Sequence, residues 1–248
     1  VGVNLFKVKT KQTGSGGISL AVMNYIQDIM YKRKIKGSFL LGGITGKHVE
    51  LLEKGLFNKI FDTQTFDREG IKSLKENKDH IEIDGSFYAS PFNKGSLINN
   101  LDFVVLSALE IDTDFNVNVL TGSNGDFRGA SGGHSDTAYG SKVSIVVAPS
   151  FRGRIPTIKD RVTTVITPGE TVDIVVTERG VAVNPENKEL LKDLQGVSGI
   201  DLVTIEELKN RAISFTGNPK PLEFSDQIVG LIEYRNVKII DGVRKVKD

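Results

Sequence analysis

Apolar residues change their spacing along the chain, and each change marks an element. Val3, Leu5 and Val8 alternate imperfectly, as in a strand over residues 1–10. After Gln12-Thr-Gly-Ser-Gly-Gly-Ile18, the residues Leu20, Met23, Ile26, Ile29 and Met30 recur at helical offsets over residues 19–33, with Ser19 as candidate N-cap. Residues 36–43 (KGSFLLGG) form a short apolar run of the buried-strand kind, and residues 45–55 read as a helix closed by Gly55. Ile60 and Phe61 end a further strand before Asp62. Residues 66–78 read as a charged surface helix, residues 81–83 as a strand, and residues 89–100 as turns with a short helix. Residues 101–109 return to a buried strand.

The second half is richer in β signals. Strands are expected over residues 143–148, 162–166, 171–177 and 180–183, with a basic loop at 151–156 (FRGRIP) and a turn at Pro168-Gly169. Helices are expected over 187–195 and 204–213, the second opened by a Thr204-x-x-Glu207 capping box. The tail alternates as a hairpin, 229–234 and 237–246, around Arg235-Asn236. Alternating strands and helices in the first half predict an α/β fold, a mostly parallel, doubly wound sheet flanked by helices, with a β-rich second part. Nothing reads as a linker or an internal repeat, so residues 1–248 are expected to form one domain.

Composition narrows the class. Hydrophobic residues make up 39% of the chain and charged residues 25%, which is ordinary for a globular protein. A net charge of +1 disfavours nucleic acid as the main partner, while leaving room for a local basic pocket. The absence of cysteine excludes disulfides and thiolate metal sites and fits a cytoplasmic location. No apolar run approaches the ~20 residues of a membrane span. The opening residues lack the apolar region and cleavage site of a signal peptide. The chain begins on Val1 within a strand pattern and reads as part of a longer protein.

Candidate chemistry concentrates in residues 104–142. The strand over 103–109 delivers Glu110 at its end, where a carboxylate must be solvated, paired or used. Glu110, Asp112 and Asp114 alternate, so a strand would align them on one face; that row reads as a metal site or as solvated turn residues around one candidate catalytic carboxylate, Glu110. A glycine-rich segment follows, with Gly129, Ala130, Gly132, Gly133 and His134, in which the backbone can approach a ligand closely and aim N–H groups at an anion. His134 is a candidate for substrate contact or proton transfer, or it packs the loop. With three histidines and no cysteine, zinc is not expected. Gly14, Gly16 and Gly17 precede the first helix and suit either anion binding or a tight turn. Gly14 and Gly16 match the first two glycines of G-x-G-x-x-G, but Ser19 occupies the third place, so no nicotinamide site is assigned. Arg128, Arg152 and Arg154 are candidates for holding a carboxylate substrate. Ser131 and Ser135 lie near His134 in sequence, and a hydrolytic triad would rest on that proximity alone.

The segments QTGSGGISLAV, ALEIDTDFNVNVLTGSNGDFRGASGGHSDTA, VAPSFRGRIPTIKDRVTTVITPGETVDIVVTERGVAVNP and IVGLIEYRNVKIIDGVRKVK resemble the alpha subunits of citrate lyase, over the whole chain and corresponding to their C-terminal half. The resemblance implies a CoA-transferase fold and a citrate:acetyl-thioester transfer that yields a citryl thioester and acetate. It implies an oligomeric complex in which a small gamma subunit, the acyl carrier protein, bears a CoA-like prosthetic group. A beta subunit then cleaves the citryl thioester. CoA or that group is a substrate, and neither a tightly bound cofactor nor a metal is implied. Glu110 falls where related CoA-transferases hold a glutamate that attacks the thioester, and it would either attack or orient the substrate. The resemblance sets both glycine loops against the thioester and pantetheine arm. Amides of Gly132 and Gly133 would serve a developing oxyanion, and the arginines would hold citrate. Two other readings stay open: a non-catalytic carrier-binding or assembly domain, and an acyl-CoA hydrolase.

Overall fold

The computed structural model describes residues 10–13 and 17–247, so nearly all of the expected opening strand, together with Gly14 and Gly16, lies outside the described residues. The chain divides into two compact units, where the sequence reads as one domain. The first falls within Val3–Leu106 and adds Gly140–Ser144; the second takes Ser107–Tyr139 and Ile145–Asp248.

The first unit runs β1 (Thr10–Thr13), α1 (Gly17–Arg33), β2 (Gly37–Ile44), α2 (Gly46–Glu53), β3 (Phe57–Thr65), α3 (Arg68–Glu76), β4 (His80–Glu82), α4 (Gly85–Ala89), a 3₁₀ turn at Leu97–Asn100 and β5 (Phe103–Leu106). Its strands pair in the order β5-β1-β2-β3-β4, all parallel. Parallel strands are covered on both faces, which is why Leu40 and Leu41 are both fully buried although adjacent in β2. Side chains of Asp67 and Asp84 accept the Gly70 and Phe87 amides and so cap α3 and α4. Helix α1 begins at Gly17, ahead of the expected Ser19 cap. Strand β3 runs past Asp62, the short helix expected within 89–100 is the 3₁₀ turn at its end, and α4 precedes that stretch. Buried Asp62 accepts the Gln64 amide at 2.7 Å and faces His80 Nε2 at 3.2 Å, while His80 Nδ1 meets Ser73 Oγ at 2.9 Å, a polar staple joining β3, β4 and α3. The returning segment at 140–144 completes the far edge of β5, where the Val104 amide donates to Val143 O and the Lys142 amide to Leu101 O.

The second unit contains β6 (Glu110–Asp112), β7 (Val117–Asn118), α5 (His134–Gly140), β8 (Ser144–Val147), β9 (Phe151–Arg152), β10 (Ile155–Pro156) and β11 (Ile158–Lys159). It continues through β12 (Ile174–Thr177), β13 (Gly180–Val183), α6 (Lys188–Leu194), α7 (Ile205–Thr216), β14 (Phe224–Glu233) and β15 (Ile239–Val246). Strand β12 pairs parallel with β8 and antiparallel with β13; β6 pairs parallel with β11 and antiparallel with β7. The β14–β15 hairpin is as expected, and Thr204 Oγ1 caps α7 by accepting the Glu207 amide. No helix among the described residues is long and apolar enough to cross a membrane.

Two expectations are corrected here. The strand expected to carry Glu110 at its end stops at Leu106, and Glu110 heads a separate strand, β6. The linking carbonyls leave the ladder for side-chain donors: Ser107 O accepts from His134, and Ala108 O and Leu109 O accept from Arg152. Residues 162–166 are not a strand. The Val162, Thr163 and Val165 amides donate to the carboxylates of Asp112, Glu110 and Asp241, so no ladder forms along them.

Candidate functional site

Glu110 is 3% exposed, and four donors surround its carboxylate. Lys159 Nζ (2.6 Å) and Thr163 Oγ1 (3.1 Å) donate to Oε1; Asn118 Nδ2 (2.8 Å) and the Thr163 amide (2.8 Å) donate to Oε2. Burial pushes the carboxyl pKa up, but the Lys159 charge and these hydrogen bonds outweigh it and hold Glu110 below its ordinary value. The local folding follows from the sequence alternation: Glu110 and Asp112 share a face of β6 and meet consecutive amides, those of Thr163 and Val162. Asp112 also accepts the Asp114 and Asn116 amides and Asn116 Nδ2, closing the turn into β7. Asp114 is exposed on that turn and leaves the row.

Asn118 links this carboxylate to the glycine segment. Its Oδ1 accepts the Leu120 and Thr121 amides, and Leu120 O in turn accepts the Arg128 and Gly129 amides. Gly129, Ala130 and Gly132 are exposed and Gly133 is half-buried. Gly132 takes φ +48° with open space where a Cβ would lie. The segment read as a loop turns helical at His134, which opens α5.

His134 is held at both ring nitrogens. Nε2–H donates to Ser107 O at 2.9 Å, and Nδ1 lies 2.7 Å from Thr167 Oγ1, a hydroxyl able to donate to the neutral ring. Burial lowers its pKa to about 4, against the opposing pull of the Ser107 carbonyl. The unfolded chain therefore takes up a proton near pH 6.5 that the folded ring refuses until about pH 4, and stability is lost as pH falls through that window. The stability advantage of wild type over His134→Gln is expected to shrink by about 2–3 kcal/mol from pH 7 to pH 4, read by urea denaturation. Parallel curves would mean that the ring is solvated and free to exchange protons.

The three arginines are engaged differently. Arg152 clamps the Ala108 and Leu109 carbonyls and Thr157 Oγ1, and so fixes the approach to Glu110. Arg128 is exposed and paired with Asp126 at 3.3 Å. Arg154 is exposed. Gly17 begins α1 in the first unit. The sequence reading missed Lys159, Thr163 and Asn118. The run Lys159-Asp160-Arg161, so soon after the basic FRGRIP loop, was the available signal for the first.

The fold is shared with solved structures of low sequence identity. A 4-hydroxybutyrate CoA-transferase from Porphyromonas gingivalis aligns with a TM-score of 0.53 at 21% identity, covering 87% of this chain and 49% of that one. RipA from Yersinia pestis aligns with a TM-score of 0.60 at 20% identity, covering 87% and 48%. At these identities the likeness concerns the fold. The chain belongs to the citrate lyase alpha subunit family, whose profile matches residues 4–246. The alpha chain of Klebsiella pneumoniae citrate lyase is 52% identical over 237 residues, covering 96% of this chain and 46% of that one. A Streptococcus mutans structure, described as an alpha subunit of citrate lyase in complex with citrate, aligns with a TM-score of 0.96 at 52% identity, covering 100% and 49%. The chain thus spans about half the length of the curated relatives it matches.

Proposed function

We propose that this chain forms half of a CoA-transferase that exchanges an acetyl thioester with citrate, giving a citryl thioester and acetate. The thiol is that of CoA or of a CoA-like group on the gamma subunit, and the beta subunit of the same complex consumes the citryl thioester. The observation that carries the reading is the family match along nearly the whole chain. In the balanced reaction, a citrate carboxylate attacks the thioester carbonyl and the thiolate leaves. The thiolate then attacks the citryl carbonyl of the resulting mixed anhydride, and acetate leaves.

Glu110 serves this chemistry as a positioning residue. A carboxylate whose oxygens receive four donors is poorly disposed to attack, but it holds the 159–163 segment and, through Asn118, the glycine loop. Amides of Gly132 and Gly133 face the developing oxyanion, with the thioester arm lying along Gly129, Ala130 and His134. Exposed Arg128 and Arg154 take citrate carboxylates, while Arg152 sets the backbone.

The test is a mass-spectrometric transfer assay with acetyl-CoA and labelled citrate, on this chain and on the chain extended to the length of its relatives. Citryl-CoA from the extended protein is expected, and no hydroxylamine-trapped Glu110 thioester. No product from either, with the carrier thioester also supplied, would overturn the reading. One observation favours the alternative of an assembly domain: the hairpin exposes Ile228, Val229, Leu231, Val237 and Ile239. Carrier binding without turnover would support it.

A further inference from the structure

The second unit holds a cleft of about 450 Å³ between the 159–163 segment, the end of α7 and the β14–β15 hairpin. We infer that this cleft seats the phosphate groups of a CoA-type ligand. The ligand's identity rests on the transferase reading; the cleft's preference for a polyanion does not.

Five cationic side chains line the cleft against two carboxylates. Lys159 is committed to Glu110, and Lys209 to Asp160. The other lining carboxylate, Asp241, is engaged by the Val165 and Gly242 amides. Arg161, Lys220 and Arg244 remain, with no carboxylate partner among the described residues. Three cations of like charge converging on one concavity repel one another, and a ligand of several negative charges relieves that repulsion.

The frame around them is stiff. Lys220 stands between Pro219 and Pro221, which fix their own φ and restrict the residues before them, so the ammonium is presented from an extended backbone. Arg244 projects from β15, paired opposite Ile228. Arg161 lies on the segment whose amides are tied to Asp112 and Glu110. Part of the wall is apolar, supplied by Ile158, Val162, Ile213 and Leu222, which strengthens the field of the cations and offers a surface to an uncharged arm. The volume lies within the ~300–1,000 Å³ of small-molecule sites and exceeds what a small tricarboxylate fills. Two arginine forks and a lysine suit the several oxygens of a diphosphate.

The experiment compares wild type with the Lys220→Ala/Arg244→Ala double variant by equilibrium dialysis, in the full chain, with CoA, pantetheine, ADP and citrate as probes. Both side chains are exposed, so the fold is expected to be unaffected. CoA affinity should fall at least 10-fold in the variant, ADP affinity should fall in parallel, and pantetheine and citrate binding should not change. The wild-type CoA affinity should also fall more steeply with salt than the variant's. Unchanged CoA affinity would overturn the inference, as would a selective loss of citrate binding. ADP binding tighter than CoA would assign the seat to a nucleotide effector and overturn it equally. Failure of the transferase reading has a different signature: no citryl product, with CoA binding still dependent on Lys220 and Arg244.

Discussion

Lys11→Met is expected to stabilise the chain by about 3–5 kcal/mol at pH 6, and to leave wild type and variant nearly equal in charge cost at pH 10. Lys11 lies in β1, between β5 and β2, with Phe103 and Leu40 as its register partners. It is fully buried, and its Nζ has no hydrogen-bond partner among the described residues. The face of the Phe103 ring lies 5.9 Å from its Nζ, measured to the centroid, and offers weak compensation for a charge. Burial, with the Lys47 charge adding to it, lowers its pKa to about 7. Below that pH the amine is charged in both states, and the folded state bears the whole cost of a buried ammonium. Between pH 7 and 10.5 the unfolded chain binds the proton and the folded chain does not, so stability rises with pH across that window. Urea denaturation of both proteins at pH 6, 8 and 10 reads the effect as a converging difference. A constant difference would show that the ammonium is solvated or paired after all.

Glu110→Gln is expected to reduce citrate transfer at least 100-fold and to cost about 1–3 kcal/mol of stability. A glutamine keeps one acceptor but turns an N–H₂ toward donors, and it leaves the Lys159 ammonium without its counter-charge. The 159–163 segment then loses its anchor, and with it the alignment of whatever it helps to hold. Because the folded pKa of Glu110 is depressed, its contribution to stability is present above the ordinary value of 4.5 and is lost as pH falls through the folded value. Wild type and variant should therefore converge only below pH 4.5. Glu110→Asp is expected to recover part of the kcat. A variant of unchanged stability and no activity, together with a trapped thioester in wild type, would make Glu110 the nucleophile instead.

Much of the first unit was legible because its strands are apolar runs buried on both faces, as in the FLLGGI of β2, and its helices open on capping residues. Lys11 was not legible: in the pattern VKTKQT it occupies what alternation reads as a solvent-facing position, and only the central place of β1 between two parallel neighbours buries it. The run VTTVI at 162–166 has every local preference of a strand. Its amides are claimed by carboxylates at 110, 112 and 241, and a window along the sequence contains no trace of them. Glu110 was legible as a carboxylate that must be solvated, paired or used, but its separate strand and its donors depended on the departure of Ser107–Leu109 from the ladder. The basic cleft gathers residues from 123 to 244, so no single motif announces it.

The return of Gly140–Ser144 to the first unit has a consequence for synthesis. A ribosome releases β5, whose four residues are all buried in the finished protein, well before it releases the residues that complete its outer edge. While Ser107–Tyr139 is being made, the Val104 amide has no Val143 carbonyl to meet, and the nascent strand FVVL presents an open edge to any other chain nearby. Translation that pauses within Ser107–Tyr139 therefore prolongs the interval in which chains can pair wrongly, and neither unit can be produced by expressing one uninterrupted stretch of the gene.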